Sequence, residues 1–304
     1  MMTAKQAAER KKGIGSSDVP TILGINPWAN SHDLWLQKTG RVPPTEENDA
    51  MYMGTMLEEV VLKLAADRLE QRIVKPSTTF VGAKSFMRAN IDGMIGKAMR
   101  GATIVEAKTT GNTEDWGLDG SSDVPERIKA QVQYQMMCAS SDVAHVACLI
   151  GERGLRFAMF RIPYDEFYAE HIMEQVSRFW EHNVKTDTPP ECLPSLESVR
   201  RIIRSADAPI VAIEERLFEE DAAANAMLKD AKSKHEAARS ALLCALGQST
   251  HGEGGGFKVR VSVVESDRFD AKRFVLEHPE YADAFRILSS HSRVTITAAK
   301  KGVS

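Results

Sequence analysis

The sequence predicts a mixed α/β protein: a central sheet with helices packed on it, followed by a helical extension that carries a small β element. Three observations lead there. Residues alternate between two faces at period two over 86–95 and 103–109, as they do in strands, and 143–150 and 155–162 read as two more strands joined by a turn containing Gly151 and Gly154. Apolar residues recur at helical spacing over 53–72, 125–139 and 165–182, so helices and strands are interleaved. After Asp187 the composition changes, first to Thr188-Pro189-Pro190 and Pro194, then to a long segment rich in Ala, Glu and Lys. We place a boundary there, with a core at 1–187 and an extension at 188–304.

The 304 residues, 43% hydrophobic, can fill a sizeable core. Net charge is −3, from 39 basic and 42 acidic residues, so any contact with nucleic acid must use local basic patches. The four cysteines, Cys138, Cys148, Cys192 and Cys244, contain no Cys-x-x-Cys pair. That spacing fits reduced, mostly buried thiols better than a disulfide scaffold or a zinc site. No segment has the apolar length of a membrane span, and residues 1–12 carry no apolar leader. The expectation is a soluble intracellular protein.

In chain order, Arg10-Lys11-Lys12 precedes Gly13-Ile14-Gly15-Ser16-Ser17-Asp18, where Ser17 or Asp18 can cap a short helix ending at Gly24. The backbone N–H groups of that helix start, beside three basic side chains, could hold a phosphate. An ordinary capped helix behind a solvated basic tail explains the same residues. A second helix is expected from a cap at Ser31 to Gly40. In the helix at 53–72, Leu57, Val60, Val61, Leu64 and Leu69 mark the buried face. Glu58 lies at the rim of that stripe, where a carboxylate needs a partner or must reach water. The strands at 86–95 and 103–109 are joined by a turn short enough for an antiparallel hairpin, which brings Asp92 towards Glu106. Pro125 opens the next helix, whose Gln131, Tyr134 and Gln135 share a face. The extension reads as one long helix or a helical hairpin at 210–246. A strand at 257–264 follows, then a helix after Asp270 and a strand around 294–296.

Asp92 and Glu106 form a pair of hard oxygen donors. Together with the main-chain carbonyl of Ala107, and with Glu58 directly or through water, they suit Mg²⁺ better than a softer metal. Lys108 returns to the face of Glu106 about 7 Å further along the strand, where it can orient or help deprotonate a water and offset phosphate charge. Gln131 can orient the water or the lysine. Phosphodiester hydrolysis needs these functions. A salt-bridged surface hairpin would show the same Asp…Glu-x-Lys pattern.

Taken together, Gly54-Thr55-Met56-Leu57-Glu58, Ile91-Asp92-Gly93, Val105-Glu106-Ala107-Lys108 and Ala130-Gln131-Val132-Gln133-Tyr134 resemble the motifs of the YqaJ-type, lambda-exonuclease-like viral recombinase family of the PD-(D/E)xK nuclease superfamily. The opening Gly-Ile-Gly-Ser-Ser-Asp and Asn26-Pro27-Trp28 are similar to the family's start, and the resemblance runs from about Arg10 to His182. It implies a restriction-endonuclease-like core and a Mg²⁺-dependent exonuclease, with Mn²⁺ as substitute, that degrades one strand of duplex DNA from its 5′ end. It implies metal ligation by Asp92 and Glu106 with Glu58, and service of the water by Lys108 and Gln131. Gln133 and Tyr134 take supporting places. The 5′ phosphate falls to Arg10 and Ser17, with Lys11 or Lys12 as alternatives to the arginine. The resemblance further implies a ring-shaped homotrimer, a single-strand annealing partner and a phage or prophage protein of the bacterial cytoplasm. Asn90-Ile91 replaces the Ser/Thr-Pro often found before the motif aspartate. An endonuclease on the same site, an exonuclease with an iron–sulfur cluster, and a non-catalytic DNA-binding recombination protein are the rival readings.

Overall fold

The structure, a computed structural model, describes residues 11–43, 48–151, 154–204, 209–262, 265 and 270–282. The expected strand around 294–296, Val263 and Val264 lie outside the described residues, as does Arg10. Two compact units are present: the first runs through Ile203 and the second begins at Arg204.

The first unit is built on a five-stranded sheet, in the order β2 (Ile73–Val74), β5 (Gly93–Ile95), β6 (Ile104–Thr110), β7 (Val143–Gly151), β8 (Leu155–Pro163). β5 and β6 are antiparallel, with Gly93 opposite Val105, so the hairpin expected from the sequence is present. β6 and β7 are parallel, which requires a crossover; α4 (Glu126–Ala139) supplies it. A second, three-stranded sheet has the order β1 (Ile14–Gly15), β4 (Met87–Ala89), β3 (Phe80–Val81).

The segment expected as one strand at 86–95 is therefore two, β4 and β5, in different sheets. The chain changes sheets at Asn90-Ile91-Asp92. Met87, Ala89 and Ile91 are all buried, as the alternation predicts.

The main sheet has an apolar layer on each face. On one, Val61, Leu62 and Ala65 of α3 (Asp49–Leu69) pack against Val105, Ala147 and Met159. On the other, α4 packs with Ile104, Val146 and Cys148. Each fully buried aliphatic side chain here contributes about 1.5–3 kcal/mol relative to exposure. Val60, expected on the buried face of α3, is 48% exposed. The buried stripe of that helix is centred on 61, 62 and 65 instead.

Several boundaries differ for local reasons. The cap of α2 (Ser31–Lys38) is Asn30, whose side-chain oxygen accepts from the N–H groups of His32 and Asp33. Before α1 (Val19–Ile22), neither Ser17 nor Asp18 makes a side-chain cap bond to the helix. The Asp18 carboxylate points back and accepts from Gly15 N at 2.8 Å and Lys38 Nζ at 2.5 Å. Lys38 and Asp18 are both buried, a pair tolerable inside only because each is bonded. The prolines after Asp187 do not end the first unit: Ser195 N and Oγ donate to Asp33, and Ile203 N donates to the Arg41 carbonyl. Cys138 and Cys148 are buried free thiols, whereas Cys192 and Cys244 are exposed. α5 (Glu166–Arg178), which runs on into a π-helical turn at Phe179–Val184, and a short α6 (Leu196–Arg200) are further helices of this unit.

In the second unit the segment expected as a helix or helical hairpin is one helix, α7 (Glu215–Leu246), of 32 residues. It is followed by an antiparallel hairpin of β9 (His251–Gly254) and β10 (Phe257–Arg260). The short helices Ala271–Glu277 and Pro279–Ala282 come next.

Gly93 follows directly on the change of sheet. A Cβ at this position would lie 2.5 Å from Ile73 Cγ2 and 3.0 Å from Leu62 Cδ2. Gly93→Ala is expected to destabilise the fold by about 1–3 kcal/mol through overpacking, read as a lower midpoint in denaturant unfolding. An unchanged midpoint would mean that β2 and α3 yield at no cost.

Candidate metal centre

The site forms where β5 stops pairing with β6. Beyond Val105 the ladder to β5 has ended, and the backbone N–H of Ala107 donates instead to Asp92 Oδ2 at 3.0 Å. The N–H and C=O of one strand residue face the same side, so the Ala107 carbonyl opens towards Asp92 as well. Asp92 reaches this position because the chain bends between its two sheets at that residue.

Glu106 is 2% exposed and would be costly alone. Three donors hold it. Lys108 Nζ and Gln131 Nε2 both donate to Oε1 at 2.6 Å, and Gln135 Nε2 donates to Oε2 at 2.7 Å. Parity along β6 puts Glu106 and Lys108 on the face covered by α4, where Gln131 and Gln135 project one turn apart. Gln135 also donates to the Asn90 carbonyl at 3.2 Å, tying the bend to the same helix. Its Oε1 is buried and has no partner among the described residues. Gln135 is thus part of the centre. The sequence did place it on the face of Gln131, but the family motif ends at Tyr134 and did not single it out.

The two other glutamine-helix residues work at a distance. Tyr134 is fully buried, and its hydroxyl donates to the Ile14 carbonyl at 2.9 Å. Gln133 Nε2 donates to the Pro163 carbonyl, and its Oε1 accepts from Asp165 N. These bonds fix α4 to β1 and to the end of β8.

Electrostatics set the character of the site. Burial, then the Glu106 charge, pushes Asp92 up to about 8. Burial works against the Lys108 ammonium, but the adjacent Glu106 carboxylate overcomes it and holds the lysine above its usual range. In this state Lys108 is a charged donor. Two desolvated carboxylates with a main-chain carbonyl beside them match the hard-oxygen set that a divalent cation takes. Each carboxylate retains lone pairs beyond the hydrogen bonds it accepts. The residues fit a cation.

Glu58 stands differently from the expectation. Its Oε1 accepts from Lys75 Nζ at 2.5 Å, and no group of three Asp, Glu, His or Cys side chains converges among the described residues. The reason is the layer it occupies. α3 lies across the sheet from α4, so Glu58 belongs to the opposite layer from Gln131 and Gln135, and it is paired with Lys75. The Glu58 carboxylate also adds to the Asp92 shift, so it is within electrostatic range.

Of the expected phosphate residues, Ser17 lies on the segment Gly13–Asp18, Lys11 and Lys12 precede it, and Arg10 lies outside the described residues. Ser17 is exposed on a tight turn at Ser16–Asp18, and Lys11 and Lys12 are exposed just before it. The turn is fixed by Lys38 to the Gly13 carbonyl, Ile14 N to the Phe86 carbonyl, and Tyr134 to the Ile14 carbonyl. α1 is a single turn with Pro20 inside it, so the expected array of free N–H groups is short.

Comparison with known proteins shows what the chain is similar to. Residues 7–142 match the family model of the YqaJ-like viral recombinase domain. The protein YqaJ of Bacillus subtilis (strain 168), itself uncharacterized, is 34% identical over 182 residues. That match takes in 58% of this chain and 54% of the relative, so the chain spans about half the length of the curated relative it matches. Among solved structures, the alkaline exonuclease LHK-Exo of Laribacter hongkongensis is 19% identical with a TM-score of 0.48, covering 61% of this chain and 94% of that one. A phage-related exonuclease of Haemophilus somnus 129PT is 14% identical with a TM-score of 0.45, covering 58% and 95%.

Because its pKa is raised on folding, Asp92 costs nothing when protonated and opposes the fold once ionised. The penalty grows as pH rises from about 4 to about 8. Asp92→Asn keeps an oxygen for the Ala107 N–H and removes the charge. In metal-free protein this variant is expected to gain on the order of 1–2 kcal/mol at pH 9, with the gain shrinking towards pH 4. Identical melting curves at pH 9 would show that no such repulsion is stored.

Proposed function

We propose that this chain is a metal-dependent deoxyribonuclease that digests linear double-stranded DNA from the 5′ end. It would leave 3′ single-stranded tails for phage-type recombination. The observation that carries the reading is the Asp92–Glu106–Lys108 constellation, with both oxygens of Glu106 anchored from α4, inside a YqaJ-like viral recombinase domain.

Asp92, Glu106 and the Ala107 carbonyl would hold the cation, Mg²⁺ in our reading with Mn²⁺ as substitute. Glu58 would join when it leaves Lys75. When bound, the cation neutralises the scissile phosphate and lowers the pKa of a water. The protein's own groups do the rest. Lys108 presents an ammonium that orients the attacking water and offsets charge on the phosphate. Gln131 and Gln135 keep Glu106 in one orientation, so its oxygens need no reorganisation during the reaction. Tyr134 and Gln133 hold the helix that carries them.

Directionality, in this reading, comes from the Ser17 turn. Its hydroxyl, with Lys11, Lys12 and Arg10 (which lies outside the described residues), would take the 5′ phosphate. A homotrimer around the DNA and an annealing recombinase as partner belong to the same proposal. No helix among the described residues is long and apolar enough to cross a membrane.

Two experiments test this. With Mg²⁺, linear duplex should be degraded and covalently closed circles left intact; cutting of circles would replace the exonuclease with an endonuclease on the same residues. Glu106→Gln and Lys108→Ala should each lower turnover about 10²-fold or more at a temperature where circular dichroism shows the variant still folded. Retained turnover in either would reject the assigned site.

A further inference from the structure

Trp28 has no part in the metal centre or in the Ser17 turn, yet the first unit holds it out to solvent. Indoles are highly buried on average, and Trp35 of α2 is 5% exposed, whereas Trp28 is 75% exposed. Its backbone is nevertheless fixed. Trp28 N donates to Asn26 Oδ1 at 3.1 Å, Asn26 Nδ2 donates to Thr21 Oγ1 at 2.7 Å, and Asn30, two residues on, caps α2. The ring is therefore displayed by a braced segment that runs from α1, just after the Ser17 turn, into α2.

The neighbour of the ring is a cation. The Arg127 guanidinium carbon lies 5.3 Å from the ring centroid, within cation–π range, and no carboxylate pairs with Arg127 among the described residues. Arg127 stands on α4 one turn before Gln131, and Gln131 one turn before Gln135. The three follow one another along one face of the helix. Both glutamines donate to the Glu106 carboxylate. Along the helix axis Arg127 is about 6 Å from Gln131, so the indole and the guanidinium stand beside the approach to the metal centre.

We infer that Trp28 and Arg127 form a stacking site for an unpaired nucleobase of the DNA end, next to the phosphodiester that is cut. On the nuclease reading proposed above, on which this inference rests, that phosphodiester reaches Glu106, which is 2% exposed. To go so deep the strand leaves its complement, and the bases beside the phosphodiester lose their stacking neighbours. The indole face replaces such a neighbour. It does so for any sequence, because every base has a π face. The Arg127 charge, with no acid to neutralise it, serves the phosphates that flank the base. A guanidinium at the ring suits a nucleotide, whereas a protein partner that docks by apolar burial would have to desolvate that charge.

The test is run on the full chain in EDTA, so that nothing is cut, with a short oligodeoxythymidylate as probe. The oligomer should quench the tryptophan fluorescence of the natural chain, and an abasic oligomer of the same length should not. Trp28→Phe should abolish the quench while affinity stays within about twofold, and Trp28→Leu should weaken binding about tenfold or more. Absence of a quench in the natural chain overturns the inference. So does an equal quench by the abasic oligomer, a quench that survives Trp28→Phe, or an unchanged affinity in Trp28→Leu. Failure of the nuclease reading is a separate result, seen as linear duplex left uncut by the natural chain with Mg²⁺, and binding in EDTA does not depend on it.

Discussion

The Glu106 carboxylate is the interaction on which the first unit turns. A carboxylate in this position has lost its water, and an unpaired charge there would cost several kcal/mol. The fold answers with Lys108 from its own strand and with Gln131 and Gln135 from α4. That answer dictates other features. α4 must lie across β6 with one turn directly over Glu106, and β6 and β7 must be parallel to leave a crossover for that helix. Asp92 adds a second desolvated carboxyl a short distance away, and its hydrogen-bond partner among the described residues is a backbone N–H. The two acids crowd each other on one side, and the centre is firmly braced on the other. This form suits the cation site proposed above, whereas a salt-bridged surface hairpin would leave both acids in water.

Much of this was legible before the structure. The alternation around Ile104, Glu106 and Lys108 places the acid and the lysine on one face because strand geometry allows nothing else. The hairpin was legible from the short turn at 96–101, and the helix over 125–139 from Pro125 and its apolar spacing. Illegible features were those decided by layers and by distant sequence. Glu58 is near Asp92 along the edge of the sheet but belongs to the opposite layer, and no spacing within α3 reveals that. The Asp18–Lys38 pair joins residues on separate helices, and a lysine is so seldom buried that composition argues against it. The break at 90–92 was hidden because burial alternates without interruption across it: Ala89 and Ile91 are both inside, although the hydrogen bonds pass from one sheet to the other.

That break is why the aspartate has its place. Residues in a continuous ladder have their backbone groups satisfied by neighbouring strands, leaving side chains to project at right angles from the sheet. At Asn90-Ile91-Asp92 the ladder is interrupted, so the Asn90 carbonyl is free to accept from Gln135 and the Asp92 side chain can replace a strand by bonding Ala107 N–H. The aspartate thereby lies in the plane of β6, alongside the Ala107 carbonyl. An uninterrupted β4–β5 would have put it above or below that plane. Gly93 permits the turn-in, because any side chain there would collide with Ile73 and Leu62.

α4 is the element through which the separate parts are registered. Gln131 and Gln135 bond the buried acid, Tyr134 bonds Ile14 just before the Ser17 turn, and Gln133, on the other side of the helix, bonds Pro163 and Asp165. A helix has a rise of about 1.5 Å per residue and little freedom to stretch. The distance between the acid and the exposed turn is therefore set by helix geometry and not by loop conformation. Lys38 fixes the turn from its other side through Gly13 and Asp18. A DNA end held at Ser17 would thus present its phosphodiesters to Glu106 and Asp92 at a spacing the protein cannot easily vary. Under the proposed function, rigid spacing of this kind would serve the removal of successive nucleotides from an end, with the buried Tyr134 hydroxyl holding the register.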